Sequence, residues 1–317
     1  MADVSVVIPT RDRRELLRSA IRSVLAQREV TVEVVVVDDG SSDGTEAMVA
    51  AFGDARIRVV RDPSPLGESG ARNRGIDEAG GPWIAFLDDD DLWAPDKLAL
   101  QLTVLRETGS EWVYGGDVLV DRELNVLSGS PPPEPARVAE RLVRYNSIPS
   151  GASNVVASAA LLHRVGPFDP SLRRTADWDL WLRLLRAGPP AAVPKPLVAN
   201  RVHGGNVSSD MGALFAELDV IAARHRIPVD RAKHFRWAAW TSMTEGRRFE
   251  AARYYAHAVR AGDLPSIGRT VAALLTYRRR PRRPRAEHRA GGGDAWIAEA
   301  SAWLEPFRAD AAADAKE

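Results

Sequence analysis

The sequence predicts an α/β protein with a mostly parallel central sheet, flanking helices and a helical C-terminal extension. Three observations support this fold class. Residues 1–120 alternate short apolar runs with segments of helical periodicity, a pattern typical of parallel βαβ units. Acidic clusters directly follow two of the apolar runs, where open α/β sheets bind their ligands. From Met211 onward the pattern is helical.

Composition narrows the functional classes. The 317 residues include 43 Lys or Arg and 43 Asp or Glu, so no overall field attracts nucleic acid. The lack of cysteine excludes disulfides, thiolate metal sites and a cysteine nucleophile. We see no signal-peptide leader before the first strand-like run, and no segment approaches the ~20 apolar residues of a membrane span. We therefore expect a cytoplasmic protein that does not bind nucleic acid.

The N-terminal elements follow from the spacing of apolar residues. Short apolar runs that end abruptly predict strands, and apolar residues at i, i+3 and i+4 predict helices. The predicted strands are residues 4–8, 32–37, 56–60 and 83–87. The predicted helices are residues 13–26, 43–52 and 70–79, and a segment through Leu98, Leu102 and Leu105. Because parallel strands share a direction, the residues that follow the second and fourth strands lie at one edge of the sheet.

The remaining elements are less regular. We predict strands at residues 112–114 and 118–120, a loop at 128–135, an irregular region at 145–175, a helix at 177–186 and an extended segment at 193–202. Helical periodicity recurs at residues 249–261, and an amphipathic helix is predicted at 296–307. We divide the chain into a first domain at residues 1–210, a helical region at 211–277, and a basic linker with a short helix at 278–317.

The run from Asp88 to Asp91 is the most informative motif. It follows the apolar residues 83–87 directly, at the carboxyl end of a predicted strand. Four adjacent carboxylates repel one another unless a cation neutralises them. The run therefore indicates a divalent-metal site, with an acidic turn that caps the helix near Pro95 as the alternative.

Two further segments carry polar groups at element ends. Asp38 and Asp39 follow the second strand and could accept hydrogen bonds from a nucleobase and a ribose, or could form a turn with a helix cap. Residues 67–75 are rich in glycine and contain Arg72, which could pair with a phosphate. Taken alone, this second segment is also typical of a plain junction between a loop and a helix.

Together, the stretches VVIPT, VVVDDGSSDGT, GARNRG and FLDDDDLW resemble the inverting nucleotide-sugar glycosyltransferases of the GT-A fold, family 2, over residues 3–210. The resemblance implies a GT-A domain and transfer of a sugar from a nucleoside diphosphate to an acceptor hydroxyl, with Mn²⁺ or Mg²⁺ as cofactor. It also implies site roles. The residues that match nucleotide-sugar-binding positions are Thr10, Arg11, Asp38, Asp39, Arg72, Asp88 and Asp90. The residues that match metal-binding positions are Asp90, Asp91 and His203.

By the same resemblance, Asp177 falls on the position of the catalytic base. The stretch ADWDLWLR matches a family pattern in which a glutamate is common where Ala176 stands, and this departure puts the acceptor contacts of that glutamate in doubt. The residues themselves leave an alternative open, since a carboxylate at the start of a helix is also a typical N-cap. Asp179 lies two residues further on and does not share a helical face with Asp177.

The expected partners are a nucleotide-sugar donor, with UDP as the commonest nucleotide in this family, and a glycan, lipid-linked or small-molecule acceptor. The arginine-rich segment from Arg278 to Arg289 could contact the anionic inner face of a membrane, or could be a solvated linker. Two other functions compete with glycosyl transfer. One is a metal-dependent nucleotidyltransferase, and the other is a catalytically silent module that binds nucleotides or glycans.

Overall fold

A computed structural model describes residues 2–62, 64–202, 211–244, 246–275 and 293–314 of the chain. The chain forms two compact units. One unit contains the whole β-sheet, the helices of the N-terminal half and the last described helix. The other contains the helices between residues 211 and 275 together with the short segment Val143–Tyr145.

The first unit is built on one nine-stranded sheet. Its strands are β1 Val4–Thr10, β2 Val32–Asp38, β3 Ile57–Arg61, β4 Trp83–Phe86, β5 Leu92–Trp93, β6 Trp112–Val120, β7 Val126–Ser130, β8 Val156–Ser158 and β9 Ala191–Arg201. They lie in the order β3-β2-β1-β4-β8-β6-β9-β5, with β7 paired to β6. The first four strands are parallel to one another, as is the β6–β9 pair. The other pairings are antiparallel.

The helices alternate with the strands in the N-terminal half. In the first unit they are α1 Arg14–Leu25, α2 Thr45–Ala50, α3 Gly67–Glu78, α4 Lys97–Thr108, α5 Pro135–Leu142, α6 Ala159–Val165 and α7 Ala176–Ala187, and the last is α12 Gly293–Asp314. In the second unit they are α8 Met211–His225, α9 Arg231–Thr244, α10 Arg248–Arg260 and α11 Ser266–Leu275. In the part of the chain that the structure describes, none of these helices is both long and apolar enough to cross a bilayer.

Close packing of α3 on the sheet positions the site. All seven residues of β1 are buried, which is typical of a strand covered on both faces. At Gly75 of α3, a Cβ atom would lie 2.2 Å from Cγ1 of Val7. Glycine is therefore required for the helix to approach β1 this closely. The same approach brings Arg72, almost one turn earlier, to the carboxyl end of the strands.

The segment after β6 is more ordered than the sequence predicts. β6 runs without interruption through Gly115 and Gly116, and β7 occupies part of the predicted loop at 128–135. The predicted irregular region at 145–175 contains β8 and α6. β8 is only three residues long, and its backbone pairs with both β4 and β6. A strand this short leaves no periodic pattern in the sequence.

Helix α12 packs on the sheet of the first unit. The indole Nε1 of Trp296 donates a hydrogen bond to the main-chain oxygen of Asp117 (3.0 Å). Its ring occupies the space where Cβ atoms at Gly116 and Gly129 would stand, 2.3 and 2.5 Å from the nearest ring atoms. The predicted amphipathic helix at 296–307 lies within α12. Its Trp296 covers β6 and β7 beside Asp117, and its Trp303 donates a hydrogen bond to the main-chain oxygen of Pro196 in β9 (3.1 Å).

Candidate active site

The carboxyl ends of β1, β2 and β4 meet at one edge of the sheet. Thr10 at the end of β1 is in register with Asp38 at the end of β2, and the next residue, Asp39, donates its backbone N–H to the oxygen of Thr10 (2.9 Å). The hydroxyl of Thr10 donates to Oδ2 of Asp89 (2.8 Å). The structure therefore brings together residues that are 79 positions apart in the sequence.

The two carboxylates after β2 have different partners. Both oxygens of Asp39 accept backbone N–H groups at the start of α3, from Leu66 (2.6 Å) and Gly67 (3.0 Å). Asp38 accepts one hydrogen bond at Oδ1, from the N–H of Ser41 (2.8 Å). Its Oδ2 is buried without a hydrogen-bond partner among the described residues. Asp39 thus orients α3, whereas Asp38 keeps an acceptor oxygen for a donor group.

The acidic run forms a tight turn after β4, closed by a hydrogen bond from the N–H of Asp91 to the oxygen of Asp88 (3.1 Å). One guanidinium nitrogen of Arg13 lies 3.1 Å from carboxylate oxygens of both Asp89 and Asp90. Asp91 is fully buried. It accepts hydrogen bonds from the backbone N–H of Arg201 (3.3 Å) and the side chain of Asn200 (3.4 Å).

Burial makes this cluster electrostatically costly. It raises the pKa of Asp89 to about 7, although Arg13 and Thr10 act in the opposite direction. Burial and then the neighbouring charges of Asp90 and Asp88 raise the pKa of Asp91 well above its usual range. Carboxylates that crowd together in this way favour either protonation or a nearby cation.

The cluster fits a divalent cation that is shared with a substrate. Within the described residues, no group of three or more His, Asp or Glu side chains is arranged to hold a metal ion by itself. Mg²⁺ typically binds through one or two carboxylates and completes its shell with substrate phosphates. Asp88, whose side chain is one-third exposed, and the largely buried Asp90 can supply such oxygens. His203, the third predicted metal ligand, lies outside the described residues.

Arg72 connects the acidic run to the rest of the site. Its guanidinium is buried and lies 2.5 Å from oxygens of both Asp88 and Glu68. It also stacks over the ring of Phe168, with 5.3 Å between Cζ and the ring centroid. Burial alone would lower the pKa of Arg72, but Glu68 and Asp88 outweigh burial and raise it. Arg72 is therefore a permanent positive charge at the carboxyl end of β4.

Asp177 is the second residue of α7 and does not occupy the N-cap position, which belongs to Thr175. Its Oδ2 accepts a hydrogen bond from the side chain of Asn146 (2.8 Å), and its Oδ1 accepts the N–H of Trp178 (2.7 Å). Burial raises the pKa of Asp177 to about 6, while the positive charge of Arg72 limits the rise. A carboxylate with this pKa is ionised at neutral pH and basic enough to accept a proton.

A left-handed turn lies against Asp177. Ser150 and Gly151 have φ angles of 51° and 47°, and a Cβ atom at Gly151 would lie 2.8 Å from Oδ2 of Asp177. The hydroxyl of Ser150 donates to Oδ2 of the buried Asp117 (2.7 Å). The absence of a side chain at Gly151 therefore leaves room beside Oδ2 of Asp177.

Several contributing residues carry no recognisable signal in the sequence. Arg13 and Asn146 reach the site through contacts across 76 and 31 positions, and Arg201 does so through its backbone N–H. The predicted binding residue Arg11 is exposed, and its Nε lies 3.9 Å from Oδ2 of Asp12. Arg11 thus lies on the exposed edge of the site. The other predicted site residues that the structure describes lie at the strand ends or at the start of α7.

Comparison with known proteins finds similar chains. A family model described as glycosyl transferase family 2 matches residues 5–155. The enzyme WfgD from Escherichia coli, named UDP-Glc:alpha-D-GlcNAc-diphosphoundecaprenol beta-1,3-glucosyltransferase, is 32% identical over 187 residues, which cover 58% of this chain and 70% of WfgD.

Two solved structures share the fold. Residues 1–349 of S. aureus TarS in complex with UDP-GlcNAc superpose with a TM-score of 0.59 and 16% identity, covering 84% of this chain and 83% of that one. The mannosyltransferase PcManGT from Pyrobaculum calidifontis, in complex with GDP-Man and Mn²⁺, gives a TM-score of 0.53 and 19% identity, covering 96% of this chain and 85% of that one. The predicted GT-A fold is confirmed.

Proposed function

Because the chain belongs to glycosyl transferase family 2 and is a glycosyltransferase, we propose that it transfers a sugar from a nucleoside diphosphate to an acceptor hydroxyl with inversion at the anomeric carbon. One observation carries this proposal. Asp177, with a pKa of about 6, is a single carboxylate linked through Arg72 to the acidic cluster at the strand ends. The positive charge of Arg72 therefore acts both on the proposed base and on the acidic cluster.

Asp177 is the proposed general base. Its ionised carboxylate takes the proton of the acceptor hydroxyl as that oxygen attacks the anomeric carbon on the side opposite the leaving group. Asn146 fixes the direction of Oδ2, and Gly151 leaves space for the acceptor oxygen. A positioned base of this kind typically contributes ~10²–10⁴-fold to the rate. One base suffices, since no covalent intermediate forms.

The leaving nucleoside diphosphate gains negative charge during the reaction. Arg72 is placed to offset that charge, while Thr10, Arg11, Asp38 and Asp39 form the nucleotide side of the site. The free Oδ2 of Asp38 is suited to accept a base N–H. A uridine nucleotide is the proposed donor, because the WfgD and TarS ligands carry uridine, although PcManGT binds GDP-Man.

A divalent cation, Mn²⁺ or Mg²⁺, is the proposed cofactor. Of the predicted ligands, Asp90 and His203 would hold it together with Asp88. Asp91 is fully buried with both oxygens hydrogen-bonded, so it would contribute negative charge from behind the turn. Bound there, it would supply positive charge to the diphosphate oxygens. The Mn²⁺ in the PcManGT complex supports this assignment. Arg13 lies against Asp89 and Asp90 and keeps their carboxylates oriented.

The acceptor of WfgD is a sugar linked to undecaprenol by a diphosphate. We propose a glycan acceptor of this lipid-linked class, so that the protein would act at the inner face of a membrane. The arginine-rich sequence from Arg278 to Arg289 lies outside the described residues, and its positive charge supports such a location.

Thermal-shift measurements with UDP, GDP, dTDP and CDP, each with and without Mn²⁺, test the donor assignment. A ligand that binds the folded state raises the midpoint, so UDP with Mn²⁺ should give the largest shift. Asp90→Ala should remove the part of the shift that depends on Mn²⁺. Turnover with a panel of nucleotide sugars tests the activity: binding without transfer to any acceptor would indicate a silent binding module, and release of pyrophosphate from a nucleoside triphosphate would indicate a nucleotidyltransferase.

A further inference from the structure

Large apolar side chains are unevenly distributed on the surface. Of the ten that are clearly exposed among the described residues, seven lie in the unit that contains α8 to α11. These seven are Val220, Trp237, Phe249, Leu264, Ile267, Val271 and Leu274. A concentration of exposed apolar surface in a soluble protein marks an interaction site.

Three of these side chains lie on one side of α11, and a fourth lies in the turn just before it. Ile267, Val271 and Leu274 are spaced by four and three residues, so they share one side of the helix. Leu264 stands two residues before the first helical residue, Ser266. We call these four side chains the stripe. In sequence order, their exposed fractions are 66%, 54%, 50% and 47%. On the opposite side, Ser266 and Ala273 are buried. Helix α11 is thus amphipathic with its larger apolar side chains turned outward, the reverse of a core-facing helix.

The unit that carries this stripe is basic. Residues 211–275 contain ten Lys or Arg but six Asp or Glu, whereas the whole chain has 43 of each. Near the stripe, Arg236 and Arg269 share a single carboxylate, Asp263, at 3.3 and 3.5 Å. The sequence that follows α11 adds seven arginines between residues 278 and 289. Positive charge next to an exposed apolar stripe is complementary to a surface that is apolar within and anionic outside.

We propose that the stripe of Leu264, Ile267, Val271 and Leu274 docks α11 on a lipid surface with anionic headgroups. The apolar side chains enter the boundary between headgroups and acyl chains, while the surrounding arginines remain with the headgroups. A second copy of this chain fits the stripe less well, because two basic units would face each other with like charge. The inference deepens the lipid-linked acceptor under the proposed function, since it names the surface that holds the enzyme near such a substrate.

Vesicle co-sedimentation of the full chain, without donor or acceptor, tests the proposal. Vesicles of phosphatidylcholine with about one third phosphatidylglycerol are compared with pure phosphatidylcholine. The test variant carries Ile267→Ser and Val271→Ser. The matched control carries Val220→Ser and Ile297→Ser, two exposed aliphatic residues outside α11. Transfer to a water-soluble acceptor in the absence of vesicles is measured in parallel.

We expect the wild type and the control to bind the anionic vesicles alike, and the test variant to bind about tenfold more weakly or worse. All three should have similar thermal midpoints, because exposed substitutions perturb folding little, and similar transfer to the soluble acceptor. Unchanged vesicle binding of the test variant, equal loss in the control, or equal binding to neutral vesicles would overturn the proposal. Self-association of the wild type that the test substitutions abolish, measured by light scattering, would also overturn it, because the stripe would then bind a second copy of the chain. Loss of transfer with intact vesicle binding would count against the proposed function alone.

Discussion

Replacing Asp177 by asparagine should stabilise the protein and abolish transfer. The ionised carboxylate is held in a partly buried position, which raises its pKa from 3.8 to about 6. A difference of about two pKa units corresponds to about 3 kcal/mol between the folded and unfolded states when the group is ionised, at 1.36 kcal/mol per unit. Partial exposure of the side chain reduces this value.

The neutral side chain retains part of the local bonding. The amide oxygen of an asparagine can still accept from Asn146, but one of the two hydrogen bonds of Asp177 is lost, at a cost of about 1 kcal/mol. We therefore expect Asp177→Asn to gain about 1–2 kcal/mol at pH 8 and to melt about 2–4 °C higher. Because the base is gone, transfer should fall by ~10²–10⁴-fold, with donor binding unchanged.

The pH dependence of the melting temperature tests the sign of this stability change. A raised carboxyl pKa means that the folded state loses stability as the group ionises, between the unfolded value near 3.8 and the folded value of about 6. The difference in melting temperature between Asp177→Asn and the wild type should thus shrink from pH 8 to pH 5. A variant that melted below the wild type at pH 8, or that kept near wild-type transfer, would refute the reasoning.

Asp179→Asn is the matched control, two residues along the same helix. Asp179 is 1% exposed and accepts a hydrogen bond from Nε of Arg183 (2.9 Å). Its ionised form is already paired, so neutralising it should lower the melting temperature instead of raising it. Transfer per folded molecule should remain close to the wild-type value.

Three further predictions follow from the site. The rate of transfer at saturating substrates should rise with pH through about 6, because Asp177 must be ionised to act as a base, and a pH–rate profile without a group in this region would contradict that role. Arg72→Gln should weaken donor binding in calorimetry and move the midpoint of the pH–rate profile upward, since Arg72 lowers the pKa of Asp177. Gly151→Ala should reduce the rate at least about tenfold, because the added methyl stands 2.8 Å from Oδ2 of Asp177 at a positive φ. Gly188→Ala, with no atom within 4 Å of the new methyl, should behave as wild type.

The sequence was sufficient to predict the candidate site residues that lie at strand ends. The run from Asp88 to Asp91 and the pair Asp38–Asp39 each follow an apolar run, and parallel strands bring such positions to one edge regardless of the packing around them. Helix α7 could likewise be predicted because Trp178, Trp181 and Leu182 mark its buried face.

The sequence was insufficient to predict contacts between segments that are distant in the chain and have no periodic pattern. Asn146 and Gly151 lie in a region without helical or strand periodicity, and only the fold places them against Asp177. The same holds for Trp296, whose position on Gly116 and Gly129 depends on the shape of the β6–β7 surface. Long-range shape complementarity leaves no local pattern, so it becomes visible only in three dimensions.

The two carboxylate environments of the site differ in the way that two different roles require. At the end of β4, four carboxylates crowd together against Arg13 and Arg72, and their mutual repulsion favours a positively charged ligand. At the start of α7, Asp177 accepts hydrogen bonds only from neutral donors, the side chain of Asn146 and the N–H of Trp178. The nearby charges of Arg72 and Glu68 shift its pKa in opposite directions. A carboxylate that is neither crowded nor firmly paired keeps the higher basicity that proton abstraction needs. Environment, and not residue type, thus assigns charge binding to one group of aspartates and base chemistry to the other.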